Sequence, residues 1–273
     1  MNKGILVFAK NNNSINYVNQ AKFLAKQSQK YLDLPVSIVT DNPIDNNVWF
    51  DKVILYDNYA KQYKKYNDGY LEGKVDYFFN SARQFAFELS PYDQTLMLDT
   101  DIVIMNDKYL QCFEQSDDFL IYDDAVDIAN SRDYYEFTYI SEESIKFYWA
   151  TAVYFTKSKK NKIFFNLLQH IYENWNHYSL MFKIKQKYFR NDHAFSIAIH
   201  LLHSYTNSGV KSMPGKLFYT IDKDICVSIN ENKIFLLLEK SNEPINYYPV
   251  SVGNLNLHIM NKFSLDKCIA NMI

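Results

Sequence analysis

In Leu96-Met97-Leu98-Asp99-Thr100-Asp101-Ile102-Val103-Ile104 the chain turns from apolar to acidic and back within nine residues. Apolar triplets flank two carboxylates that stand one residue apart. The run from Thr95 to Met105 reads as a buried strand interrupted by charge. Residues two apart in a strand point to the same side, so Asp99 and Asp101 project together from one place near the strand end. Burying an unpaired carboxylate is costly, and two like charges side by side cost more. The local sequence offers no cation nearer than Lys108. A divalent cation held by oxygen ligands offsets both charges; an exposed turn after a short strand would instead leave them solvated.

Nearer the N-terminus, Gly4-Ile5-Leu6-Val7-Phe8-Ala9 reads as a buried strand. Residues 14–31 read as a helix with Ser14 as cap and Tyr17, Val18, Ala21, Leu24 and Ala25 on one face. Val36 to Thr40 is a second strand, ended by the turn Asp41-Asn42-Pro43, and Lys52 to Tyr56 a third. This β-α-β-β opening predicts a parallel sheet covered by helices. Residues 57–73 are polar and tyrosine-rich and read as a loop. Residues 74–89 predict a helix with the stripe Val75, Phe78, Phe79, Ala82, Ala86 and Leu89, stopped at Ser90-Pro91. Strands follow at 119–122 and 147–156, helices at 159–178 and 191–203, and strand-like pieces at 233–238 and 255–260. With no repeat, low-complexity block or linker, residues 1–273 read as one domain.

The 273 residues are 48% hydrophobic and 17% aromatic, enough for a large core. Twenty-three tyrosines and 20 phenylalanines against six glycines and six prolines exclude a disordered chain. A net charge of -2 gives no global basic field toward nucleic acid or membrane. The only arginines, Arg83, Arg132 and Arg190, are candidates for bidentate recognition of phosphate or carboxylate. Cys112, Cys226 and Cys268 show neither metal spacing nor a disulfide framework, which fits a reducing compartment. No segment reaches membrane-spanning length.

An apolar run, Asp99-Thr100-Asp101 and a second apolar run together resemble the D-x-D motif of GT-A glycosyltransferases, at about the usual distance from the first strand. The resemblance implies an α/β fold: a Rossmann-like α/β/α sandwich with a mixed, mostly parallel central sheet. It divides the domain into a nucleotide-sugar-binding half (about 1–106) and an acceptor-binding half with the C-terminal segment (about 107–273). It implies Mn²⁺ or Mg²⁺ as cofactor, ligated by Asp101, with Asp99 contacting the ribose, the metal or both, and Thr100 in the same donor-binding segment. Phe8, Ala9 and Lys10 would line the nucleotide pocket, and Asp41 would hold the base unless it only caps its turn. Enzymes similar to glycosyltransferase family 8 place a donor-contacting arginine where Arg83 stands. The tail Leu255-Asn256-Leu257-His258-Ile259-Met260-Asn261-Lys262 resembles their His…Lys segment, with His258 a third metal ligand and Lys262 on the diphosphate. The family's glycine and Lys-Pro-Trp ending are missing, and the His-to-Lys spacing is shorter. Trp149-Ala150-Thr151-Ala152-Val153 occupies the place of an Asn-x-Gly strand but has neither residue, so that family's sugar specificity does not carry over.

Asp192, in Arg190-Asn191-Asp192-His193, and Asp124, beside Asp123 after a strand, are the candidate catalytic acids. Asp192 or Asn191 would otherwise serve as a helix N-cap. The expected reaction moves a sugar from a nucleotide-sugar, with UDP-sugar the expected donor by analogy, to an unidentified glycan, lipopolysaccharide, protein or modified DNA base. Resemblance to family 8 implies retention of configuration. Lys157, Lys159, Lys160 and Lys162, and Lys183, Lys185, Lys187 and Arg190, would be the DNA-facing groups if DNA were the acceptor. Without the membrane anchor of most Golgi relatives, a cytoplasmic bacterial or viral enzyme is expected. The alternatives are a nucleotidyltransferase acting on sugar phosphates and a non-catalytic GT-A-like binding protein. The former would show a glycine- and arginine-rich loop where this chain has Lys10-Asn11-Asn12-Asn13.

Overall fold

Strand β1 (Lys3–Phe8) is buried on both faces, as its unbroken apolar run requires, and lies at the middle of a six-stranded sheet. The computed structural model describes residues 2–56, 62–66, 73–130, 132, 137–142, 144–185, 187–204, 209–240 and 243–273. In chain order follow α1 (Tyr17–Tyr31), β2 (Val36–Thr40), β3 (Lys52–Leu55), β4 (Tyr63–Tyr66), β5 (Lys74–Tyr77), a 3₁₀ turn (Ala82–Phe85) and α2 (Ala86–Leu89). Next come β6 (Gln94–Leu98), β7 (Ile102–Val103), a 3₁₀ segment (Lys108–Phe113), β8 (Phe119–Tyr122), β9 (Ala125–Asp127) and β10 (Trp149–Thr156). Helices α3 (Lys159–Glu173), α4 (Trp175–Met181) and α5 (Asn191–Leu202) precede β11 (Leu217–Thr220), β12 (Ile225–Ile229), β13 (Ile234–Lys240), β14 (Glu243–Val252), β15 (Leu257–Ile259) and α6 (Lys262–Ile269).

The fold is mixed α/β. The central sheet runs β3-β2-β1-β6-β10-β8. Strands β1, β2, β3 and β6 are parallel, and β10 runs antiparallel to both β6 and β8. Helix α1 lies against β2, β7 and α6, whereas α5 packs on β10 and α3. Further sheets have the orders β7-β15-β11-β9 and β12-β13-β14, and β4 pairs with β5. A large core surrounds the central sheet, and a second core, including Val103, Leu257, Ile259 and Leu265, anchors the C-terminal segment.

Four sequence expectations are corrected. The strand predicted over 95–105 is two strands in different sheets, and Asp99-Thr100-Asp101 is the corner between them. The helix predicted over 74–89 survives only as a 3₁₀ turn and one turn of α-helix, preceded by β5. Its supposed stripe fails because Val75 and Phe79 face solvent. Tyr77 stacks on Tyr63 of β4 at 4.6 Å, a cross-strand pair that favours a hairpin. The loop predicted over 57–73 therefore contains β4, while 57–61 and 67–72 lie outside the described residues. The helix predicted over 159–178 is broken at Asn174 into α3 and α4.

Gly4 is fixed by close approach. A Cβ there would sit 2.4 Å from Tyr92 Cζ. Tyr92 has no room to withdraw, because its buried hydroxyl is bonded to Ser37 Oγ at 2.7 Å. Gly4→Ala is expected to lower stability by about 1–3 kcal/mol through overpacking, read as a lower urea midpoint; an unchanged midpoint would refute this packing.

Candidate active site

The carboxyl ends of β1, β2, β3 and β6 share one edge of the sheet. Because β2 and β6 flank β1 on opposite sides, that edge carries the crevice in which open α/β sheets bind ligands. The sequence places Ala9 and Lys10, Asp41 and Asp99 there, just after β1, β2 and β6. Phe8 and Ala9 are buried, and Asp41 is exposed. The Lys10 backbone N–H donates to Asn80 Oδ1 at 2.7 Å, and Asn80 Nδ2 donates to the Lys10 carbonyl at 3.1 Å. Lys10 Nζ lies 5.8 Å from the Tyr56 ring centre.

Asp99 and Asp101 are compensated by residues remote in sequence, which the local pattern did not reveal. Arg83 pairs with Asp99 and donates through Nη1 to the Ala150 carbonyl at 2.7 Å. Arg83 is thus largely buried rather than a surface arginine. Asp101, only 2% exposed, meets Lys262 Nζ at 3.1 Å and His258 Nε2 at 3.3 Å. Burial pushes the Asp101 carboxyl upward, but Lys262 and His258 outweigh it and hold it well below the ordinary carboxylate range. Thr100 turns to the helix side, where its hydroxyl donates to Gln20 Oε1 at 3.0 Å, and Gln20 in turn donates to Asp266 at 2.6 Å.

Strand register places His258. It stands opposite Ile102, with Leu257 opposite Val103, and the Ile259 N–H donates to the Asp101 carbonyl at 3.0 Å. Leu257 and Ile259 enter the second core, so period-two alternation turns His258 the other way. A slip of one residue would reverse that facing.

Asp99, Asp101 and His258 each offer a ligand atom within 4.8 Å of the others. His258 Nδ1 is buried without a hydrogen-bond partner. Two carboxylates and an imidazole suit Mn²⁺, and the two carboxylates suit Mg²⁺. The residues present therefore fit a divalent cation. The charges of Asp99, Asp101, Arg83 and Lys262 already cancel, so a dication would leave the group positive. A diphosphate matches that excess.

Asp192 lies on the same network. Its Oδ1 accepts the Ala150 N–H at 2.9 Å, and Arg190 reaches Oδ2 at 3.3 Å. Neither Asp192 nor Asn191 caps α5: the N-cap is Arg190, with no side-chain cap bond. Burial raises the Asp192 carboxyl, but Arg190, Arg83 and His193 together bring it below its ordinary range. A carboxylate so held is a weak base and a good acceptor for a hydroxyl. Asp123 and Asp124 stand apart, in the wall of a cavity of about 750 Å³. Asp123 pairs there with Lys146 at 2.7 Å; burial raises its carboxyl, and Lys146 and Ser212 bring it below its usual range.

The sequence reading missed Asn80, Gln20 and Lys146, which carry no local signature. It also missed the buried clasp in which Arg132 bonds Asp127 Oδ2 through Nε at 2.6 Å and both Asp224 oxygens at 2.8 Å. The scarcity of arginine was the available signal for that clasp.

No family model and no curated protein matches this sequence. Among solved structures, the chain is similar to the galactosyltransferase LgtC in complex with donor and acceptor sugar analogs, at 10% identity over 72% of this chain and 70% of that one, with a TM-score of 0.49. It is also similar to the apo glycosyltransferase GlyE of Streptococcus pneumoniae, at 10% identity over 78% of this chain and 45% of that one, with a TM-score of 0.43. Likeness at this level does not specify chemistry, so the functional reading rests on the side chains above. No helix among the described residues is long and apolar enough to cross a membrane.

His193, beside Asp192, provides a pH test. Burial, helped by Arg190 and opposed by Asp192, brings its imidazole down to about 3. Its Nδ1 is buried and unpartnered. The unfolded chain takes up this proton near pH 6.5 while the folded chain refuses it, so stability is full above that pH and falls as the pH drops toward 3. The slope from this group is at most about 1.4 kcal/mol per pH unit. His193→Phe, placed between Phe147 and Trp175, is expected to flatten the decline between pH 6.5 and 4 in denaturant titrations. Parallel curves for the two proteins would contradict a neutral buried His193.

Proposed function

We propose that the chain is a metal-dependent glycosyltransferase that moves a sugar from a nucleoside diphosphate sugar to an acceptor hydroxyl. One observation carries the reading: Asp99, Asp101 and His258 converge with Arg83 and Lys262 at the carboxyl edge of the parallel strands. In this reading Asp99, Asp101 and His258 hold Mn²⁺ or Mg²⁺. When bound, the cation offsets the charge that develops on the leaving diphosphate. Lys262 and Arg83 are the side chains best placed to exchange a carboxylate for a phosphate oxygen. Phe8, Ala9, Lys10 and Asp41 line the nucleotide end, with uridine the assigned base by the family resemblance alone. Asp192 holds a sugar hydroxyl. In this reading residues from about 1 to 106 form the donor half of one domain, and those from about 107 to 273 the acceptor half together with the C-terminal segment that returns His258 and Lys262 to the donor side.

The loop after β1 weakens the nucleotidyltransferase alternative. Asn11 Oδ1 accepts the Val18 N–H at 2.9 Å, Asn12 Oδ1 the Ile15 N–H at 2.7 Å and Asn16 Oδ1 the Asn19 N–H at 3.0 Å. Donors that a phosphate loop would present to a ligand are thus satisfied by asparagines.

The test is release of nucleoside diphosphate from a panel of nucleotide-sugars, with and without Mn²⁺, which requires no acceptor. UDP-sugars are expected to be cleaved only with metal. Asp101→Asn and His258→Ala should each lower kcat/KM by about 100-fold or more, with folding checked by circular dichroism. Metal-independent sugar-nucleotide affinity, or full activity in Asp101→Asn, would overturn the proposal.

A further inference from the structure

The cavity of about 750 Å³ lined by Asp123, Asp124, Phe137, Thr138, Lys146 and Trp149 is not used by the donor site, yet it abuts it. Three connections join them. Trp149 precedes Ala150, whose backbone holds both Arg83 and Asp192. Tyr219, also in the cavity wall, is the strand neighbour of His258. The Arg190 guanidinium, paired with Asp192, lies 5.9 Å from the Phe137 ring centre. A molecule in the cavity would therefore sit next to the reacting groups.

Its lining defines what it accepts. One wall is aromatic: Phe137 packs on Trp149 at 4.9 Å and on Tyr219 at 5.7 Å, and Tyr139 is 40% exposed beside them. Ring faces suit the C–H faces of a pyranose, and scattered polar groups suit its hydroxyls. The charges disfavour an anion. Lys146 is held by Asp123, and Arg132 is chelated by Asp127 and Asp224. Among the described residues, Asp124 is exposed and has no ion-pair partner, so it adds a negative charge at the mouth. A phosphate would meet that carboxylate with no uncommitted cation to offset it.

Resting on the glycosyl-transfer reading, we propose that this cavity is the acceptor subsite and that it selects an uncharged saccharide over a phosphate-bearing acceptor such as DNA. Phe137 and Tyr139 supply the stacking wall, and Asp124 accepts hydroxyl hydrogen bonds and excludes anions.

Saturation-transfer NMR on the full chain tests this with methyl β-glucopyranoside, methyl β-galactopyranoside and N-acetylglucosamine, against glucose 6-phosphate and a short DNA duplex. At least one neutral saccharide is expected to give a response and neither phosphate-bearing probe to do so. Thr138→Arg, at an exposed position in the lining, should weaken saccharide binding by about tenfold or more, while nucleotide release from the donor alone is unchanged. Asp124→Lys should admit glucose 6-phosphate and carries the test if Thr138→Arg does not fold. The subsite assignment is overturned if glucose 6-phosphate or DNA binds the unaltered chain. It is equally overturned if no neutral saccharide binds, or if Thr138→Arg leaves saccharide binding intact. Loss of donor cleavage in the unaltered chain would instead count against the transferase reading, since saccharide binding is measured without donor.

Discussion

The Asp101 carboxylate is almost wholly removed from water, and it remains ionised because Lys262 and His258 lie against it. Both partners come from the far end of the chain; His258 is 157 residues away. Their delivery depends on one short strand pairing, β15 on β7, closed by the Ile259-to-Asp101 backbone bond. A three-residue strand is marginal on its own. The second core holds it, through Leu257 and Ile259 on the strand and Leu265 and Ile269 on α6. Formation of the site is therefore coupled to docking of the C-terminal segment: without it, a buried carboxylate loses Lys262 and the His258 hydrogen bond.

The same economy governs the arginines. Each of the three bonds aspartate: Arg83 with Asp99, Arg132 with Asp127 and Asp224, and Arg190 with Asp192. Two of these pairs, with Ala150 between them, link the D-x-D corner to α5. The third clasps β9 to the turn before β12 and to the Glu239 carbonyl of β13. Lysine, a point charge on a flexible stem, cannot reproduce such two-sided bonding. It is left mainly to the surface, with Lys10 and Lys262 the exceptions at the site.

The sequence made the parallel start of the sheet legible because β1 and β2 are buried on both faces and read as unbroken apolar runs. It made Asp99, Asp101, Arg83, Asp192 and His258 legible as separate candidates, and the fold brings them into one network. The compensation of Asp101 was hidden because pairing with residues at the far end of the chain leaves no local pattern. The hairpin β4–β5 was hidden for a different reason: Val75 and Phe79 fall at helical spacing yet face solvent, so periodicity was satisfied without burial. The sheet β12-β13-β14 was mostly missed. Strand β14 is an edge, and Pro249 within it is tolerated there although it argues against a central strand.

Strand β10 enters the charged network at Ala150 and Thr151. Its contribution is made by the backbone. The Ala150 N–H holds Asp192, the Ala150 carbonyl holds Arg83, and the Thr151 carbonyl accepts the Asp99 N–H at 2.9 Å. Three acidic or basic groups are thus positioned by two consecutive peptide units of β10, where its pairing with β8 shifts register and before its pairing with β6 begins at Ala152. Side chains at Ala150 and Thr151 can then vary without moving the charges, provided that they stay small.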